Sequence, residues 1–196
     1  MTKKFSLGID IDGVIANTQP LIISELNAYF DKTYTVNDFY HITPEKAYNI
    51  DRPQLYQFIA ERELRLIKAA EPVQGSVEAI HKLKERCRIT IISARTTDFY
   101  PNTVDWLRKH GIKHDRVILL GEHDKRKTCL EECVQLFIED SLENAEQVSS
   151  CGIPVYLLNA TYNRGKIPDL VRRVDSWSQI VNLLEEEFKA EQIFIE

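Results

Sequence analysis

The sequence predicts an α/β fold: a five-stranded parallel sheet with helical crossovers and a small helical insertion after the first strand. Three observations carry this. Five short runs rich in Val, Ile and Leu recur along the 196 residues, helical patterns separate most of them, and one long early interval has no buried strand. Runs that are apolar throughout, rather than alternating, suit strands covered on both faces.

The strand candidates are Phe5–Ile9, Ile89–Ile92, Val117–Leu120, Leu136–Ile138 and Val155–Leu158. Between them, Ser76–Arg86 sets Val77, Ile80 and Leu83 on one stripe, with Lys82, Lys84 and Glu85 elsewhere. Thr103–His110 carries Val104 and Leu107 and stops at Gly111, a helix C-terminal signal. Lys127–Cys133 and Leu142–Ser150 follow. Ser176–Lys189 is the most regular, with Trp177, Ile180, Val181, Leu184 and Phe188 at helical spacing. Strands alternating with helices of this size imply right-handed crossovers.

The interval from Ala16 to Pro72 breaks the rhythm. It reads as short helices, clearest at Leu21–Phe30 and Pro53–Lys68, and holds half of the 16 Phe and Tyr residues. Those aromatics either build a small core of their own or line an inserted cap over the end of strand 1. The expected division is therefore a core of residues 1–15 and 73–196 with a helical cap of residues 16–72.

Composition narrows the function classes. With 25 Lys+Arg against 30 Asp+Glu the formal charge is −5, which argues against a dedicated polynucleotide binder. No apolar run approaches the roughly 18 residues that span a bilayer. Phe5 is followed within a few residues by Asp10 and Asp12, a poor start for a signal peptide. The four cysteines form no C-x-x-C pair and have no His at zinc spacing, so reduced thiols and a cytoplasmic location are expected.

The strongest local signal is Asp10-Ile11-Asp12-Gly13-Val14, where strand 1 runs into two carboxylates and Gly13 releases the chain. Parallel sheets bind ligands at the carboxyl ends of their strands. Two acids there repel and lose hydration, so they need a cation or a shared proton, and Mg²⁺ is the natural counter-charge. A surface Asp-x-Asp-Gly turn is the plainer alternative. Three more features meet the same edge: Ser93-Ala94-Arg95 after strand 2, Glu139-Asp140 after strand 4, and Asp124-Lys125-Arg126-Lys127 opening a helix between them.

These four motifs, in this order, resemble the haloacid dehalogenase (HAD) superfamily of aspartate-dependent phosphohydrolases, with its Rossmann-like core. Within it the chain is similar to the 5′(3′)-deoxyribonucleotidase-like group, on three grounds: the modest insertion after motif one, the Ile-Glu-Asp-Ser form of motif four, and Tyr162-Asn163-Arg164 after strand 5. The resemblance implies a Mg²⁺-dependent hydrolase of phosphoric monoesters acting on (deoxy)nucleoside monophosphates. Asp10 is then the nucleophile and Asp12 the general acid/base, while Ser93 and the Ala94 N–H hold phosphoryl oxygens. The metal falls to Asp10, the Asp12 carbonyl and Asp140, with Glu139 in or beside that shell. Lys125 or Lys127 completes the charge balance, and Lys125 is favoured because it opens the helical segment. Arg95 and Arg164 are candidate substrate contacts. Phe39, Tyr40 and Tyr48 are candidate base-stacking rings, or simply core of the insertion.

Other readings stay open. Ser93-Ala94-Arg95 departs from the mammalian-type nucleotidases, which leaves a sugar phosphate or another small phosphorylated metabolite as an alternative substrate. A receiver-type phospho-acceptor domain, which signals rather than turns over, would carry its acceptor at the end of strand 3; here that strand ends Leu119-Leu120-Gly121, without an Asp. The expected partner is a small phosphorylated metabolite, with no nucleic-acid polymer and no membrane. A homodimer is compatible with all of this.

Overall fold

The computed structural model describes residues 4–193. Six strands form one parallel sheet: β1 (Phe5–Ile9), β2 (Cys87–Ser93), β3 (Arg116–Leu119), β4 (Leu136–Glu139), β5 (Val155–Leu158) and β6 (Val171–Val174). Their order is β3-β2-β1-β4-β5-β6. The five expected strands are present and a sixth is added. Its Val-Arg-Arg-Val sequence has no apolar run, because an edge strand is covered on one side only and tolerates charge.

The chain moves from β1 outward to β2 and β3, then returns to the other side of β1 for β4, β5 and β6. That reversal puts a topological switch point between β1 and β4. Register does the rest. Ile9 pairs with both Ile91 and Ile138, so the residues just beyond these three positions emerge side by side at one edge. Gly8 allows β1 to lie this close to β4, since a Cβ there would run into the ring of Phe137.

Helices α5 (Ser76–Leu83), α6 (Tyr100–Lys109), α7 (Arg126–Glu131), α8 (Leu142–Ser149) and α9 (Trp177–Ile193) cover the sheet. The main core joins Leu7, Ile9, Ile89 and Ile91 to Trp106, Leu107, Trp177 and Leu184, and a second cluster around Phe137, Val148 and Val155 lies apart from it. Helix α7 ends before the expected Cys133, which takes a positive φ of 52° and is exposed.

Between β1 and α5 lie α1 (Gln19–Phe30), a 3₁₀ turn at Val36–Tyr40, α2 (Pro44–Tyr48), α3 (Arg52–Ala60) and α4 (Glu63–Ala69). Asp51 caps α3 with a reciprocal Asp51–Gln54 pair at 2.7 and 2.9 Å. The single helix expected over Pro53–Lys68 is broken at Glu61-Arg62, and the two halves serve different cores. Leu55 and Phe58 of α3 pack with Ile23, Leu26, Phe39 and Tyr48, whereas Ile67 of α4 belongs to the main core. Ala70, just after α4, accepts the Trp106 indole N–H at 2.8 Å.

Candidate active site

The residues predicted from β1, β2 and β4 converge at the carboxyl edge of the sheet. Asp10 follows β1, Ser93 ends β2, and Glu139 and Asp140 end β4; all four are buried. Carboxylate oxygens of Asp10, Glu139 and Asp140 lie within 4.8 Å of one another. Lys125, just before α7, reaches into this group and is only 1% exposed. Its ammonium sits 2.8 Å from Asp10 Oδ1 and 2.7 Å from Glu139 Oε2. Lys127 points away, with its side chain 87% exposed beside Glu131, so of the two lysines only Lys125 is at the site.

The two acids after β4 are held differently. Glu139 is saturated: Oε2 takes Lys125, and Oε1 accepts the N–H groups of Asp140 and Ser141 at 3.1 Å each. Asp140 accepts at Oδ2 from the Tyr162 hydroxyl, and its main-chain carbonyl accepts from Asn163 at 2.7 Å. Sequence reasoning assigned no role to Tyr162 and Asn163. Their place just past the carboxyl end of β5 was the available signal, since that is the edge where the other motifs meet.

Three carboxylates against one ammonium leave negative charge uncompensated. Burial, opposed by Lys125 and reinforced by Glu139 and Asp12, pushes the Asp10 carboxyl up to about 7. Burial, with Glu139 and Asp10 adding to it, raises Asp140 well above the usual carboxylate range. Lys125 is raised as well, burial being outweighed by Asp10 and Glu139. A buried set of hard oxygen donors with excess negative charge fits a small divalent cation such as Mg²⁺.

Gly13 closes the turn at φ +80°, and a Cβ there would overlap the Asp140 carboxylate while lying 2.7 Å from the Tyr162 hydroxyl. The N–H groups of Ile15 and Ala16 both donate to the Ile11 carbonyl at 2.8 Å, and Trp177 Nε1 donates to the Val14 carbonyl at 2.9 Å. The turn after Asp12 is thereby anchored to the core.

Asp12 does not join the acidic cluster. It is forked by Arg95, with Nε to Oδ2 at 2.8 Å and Nη2 to Oδ1 at 2.9 Å. The loop carrying Arg95 is pinned by Glu63, which accepts from the Thr96 N–H and hydroxyl at 2.8 and 2.7 Å. Nothing in the sequence pointed to Glu63. The insertion meets the core again where Arg164 lies 4.9 Å over the half-exposed Tyr40 ring. Gln19 Nε2 donates to Thr161 at 2.9 Å, and Tyr56 stacks on His123. Phe39 and Tyr48 are each 4% exposed inside the insertion's core, unlike Tyr40 at 48%; of the three rings, only Tyr40 is exposed.

Residues 4–192 match the family model described as 5′ nucleotidase, deoxy (pyrimidine), cytosolic type C protein. The chain belongs to this family. With that membership it is a hydrolase of phosphoric monoesters, of the phosphatase and nucleotidase class, on the HAD fold. It is 31% identical to the candidate nucleotidase YqfW of Bacillus subtilis, covering 89% of this chain and 91% of that one. It is 27% identical to the nucleotidase CA_C3379 of Clostridium acetobutylicum, covering 95% and 97%. The haloacid dehalogenase-like family protein SP0104 of Streptococcus pneumoniae superposes with a TM-score of 0.65 at 11% identity, over 94% of this chain and 100% of that one. The HAD hydrolase of Xanthomonas campestris gives 0.61 at 13% identity, over 93% and 95%. Among the described residues no helix is long and apolar enough to cross a membrane.

Proposed function

We propose that the protein is a Mg²⁺-dependent nucleotidase that dephosphorylates (deoxy)nucleoside monophosphates in the cytoplasm through an aspartyl-phosphate. The observation that carries this reading is Asp10, buried at the switch point, paired with Lys125 and flanked by further acids. Asp10 attacks phosphorus, its O–P bond forming as the bond to the leaving oxygen breaks. Asp12 gives that oxygen its proton and afterwards takes one from the water that attacks the acyl-phosphate. Ser93, the Ala94 N–H and the first N–H groups after Asp12 hold the phosphoryl oxygens, and Lys125 neutralises charge.

Asp10, Asp140 and the Asp12 carbonyl would hold the metal, which supplies a positive centre for one phosphoryl oxygen. Glu139, already engaged by Lys125 and two backbone N–H groups, fits the role of holding Lys125 in place rather than ligating directly. In this reading residues 16–72 are the cap, and Tyr40 with Arg164 packed over its ring would contact the substrate's nucleoside portion.

The test is a panel of deoxynucleoside monophosphates assayed beside sugar phosphates. Hydrolysis should favour the nucleotides, vanish with a chelator and return with Mg²⁺. Asp10→Asn should lose at least about 10⁴-fold in kcat, the scale seen when a nucleophile is removed. A variant that hydrolyses as fast as the wild type would overturn the nucleophile assignment, and a preference for sugar phosphates would move the substrate class.

A further inference from the structure

Arg95 is a buried cation that the proposed chemistry leaves without a defined task. Its side chain is 3% exposed, against 38% for Asp12. It is fixed from several directions. Nη1 donates to the Thr103 hydroxyl of α6 at 3.3 Å, and the guanidinium carbon lies 6.0 Å from the Trp106 ring centre. Its own N–H donates to Ser93 Oγ at 3.3 Å, and its carbonyl accepts from the Gly121 N–H at 3.1 Å. Next to it, Thr96 is clamped by Glu63. The arginine is therefore the immobile member of the pair and Asp12 the member it holds.

A forked guanidinium–carboxylate pair sets direction as well as distance, because both oxygens must lie in the plane of the donors. Both Asp12 oxygens are taken this way, one lone pair each, which leaves the remaining lone pairs free to accept a proton. The fork also holds the Asp12 carboxylate apart from Asp10, two residues earlier in the chain, and from the acidic cluster that Asp10 joins.

We propose that Arg95 is the positioning residue for Asp12 in the second half of the reaction, when Asp12 draws a proton from the attacking water. This rests on the nucleotidase reading above. In that step the water oxygen bonds to phosphorus, the bond from phosphorus to Asp10 breaks with its electron pair returning to the Asp10 carboxylate, and the water proton passes to Asp12. Arg95 touches neither phosphate nor water. It holds the accepting carboxylate in line.

The two half-reactions separate on p-nitrophenyl phosphate, whose leaving group departs without needing a proton. In Arg95→Met the first-turnover release of p-nitrophenolate should stay within about 3-fold of wild type. The steady-state rate should fall about 10- to 100-fold, at the low end of what general base catalysis contributes, so a burst equal to the enzyme concentration appears. Inorganic phosphate titrated into the Mg²⁺-loaded variant should bind within about 3-fold of wild type. Arg95→Lys, which keeps the charge and loses the fork, should fall between the two proteins. Thr103→Val, which removes only the outer anchor, should lower the steady-state rate about 2- to 5-fold with an unchanged first turnover, and it serves if Arg95→Met does not fold. A first turnover slowed as much as the steady state, or phosphate binding weakened tenfold or more, would make Arg95 a phosphate ligand and overturn the proposal. An unchanged steady state in all three variants would also overturn it. A wild-type protein that releases no p-nitrophenolate and no nucleoside would instead defeat the nucleotidase reading itself.

Discussion

The acidic edge of the sheet and the helical insertion are built on opposite principles. At the edge, Asp10, Lys125, Glu139 and Asp140 are buried ions whose positions are set by one another and by backbone groups. In the insertion, aromatic rings pack on one another, with Phe30, Phe39, Tyr48 and Phe58 joined by stacked or tilted contacts, while Tyr40 and Tyr56 stay partly exposed. Removing one member of a buried ionic set strands the rest, because desolvated charge has no solvent to fall back on. Removing one half-exposed ring costs a contact and little else. The ionic edge is thus mutually determined, whereas the insertion's exposed side chains can change singly.

The largest break in this contrast is Lys125→Met. It leaves Asp10 and Glu139 facing each other without their cation, and should cost about 3–5 kcal/mol of stability together with most of the activity. Lys127→Met, two residues on and exposed, should leave both within about 0.5 kcal/mol or twofold. Denaturant melts and steady-state assays of the two variants test the difference directly.

Next in size is a pH effect. Asp10 is raised from 3.8 to about 7, burial being the main cause, so the folded protein binds more protons than the unfolded chain between those values. Stability contributed by this site in the chelated protein is therefore highest near pH 4 and declines as pH rises towards 7, by on the order of 1 kcal/mol per pH unit. Thermal melts of the chelated wild type should show this decline relative to Asp10→Asn. Added Mg²⁺ should raise the melting temperature more at pH 7.5 than at pH 5. Equal slopes for the two proteins would remove Asp10 as the source.

The smallest effect belongs to the insertion. Tyr40→Ala should raise KM for a nucleoside monophosphate about 10-fold, the scale of one stacking contact, with kcat within about 2-fold. Phe39→Ala, by contrast, should cost about 3 kcal/mol of stability because it empties the insertion's core. A Tyr40→Ala enzyme with unchanged KM would show that this ring does not meet the substrate.

How far the sequence could be read follows the same contrast. Strands β1 to β5 were legible because burial on both faces demands continuous apolar runs, and the acids at their ends because open parallel sheets expose that edge. Strand β6 was not, since Arg172 and Arg173 hide an edge strand from any search for apolar runs. The break between α3 and α4 was equally hidden: apolar spacing continues across Arg62, and only the tertiary structure assigns Phe58 and Ile67 to different cores. At the site, Lys125 could be preferred to Lys127 from its place at a helix start. The Arg95 fork to Asp12 and the Glu63 clamp on Thr96 join residues 83 and 33 positions apart, and no local pattern encodes such pairings.

The central place of β1 also shapes how the chain must be made. Strand β1 is an inner strand made before its neighbours, and its partners lie far downstream: Phe5 meets Cys87, and Leu7 meets Leu136. Both edges of Phe5–Ile9 stay unpaired until β2 and then β4 are synthesised, which makes folding slow and the nascent chain exposed to misassociation. A nascent chain arrested before residue 136 should therefore need chaperone protection, and the acidic centre can form only after β4 has closed against β1.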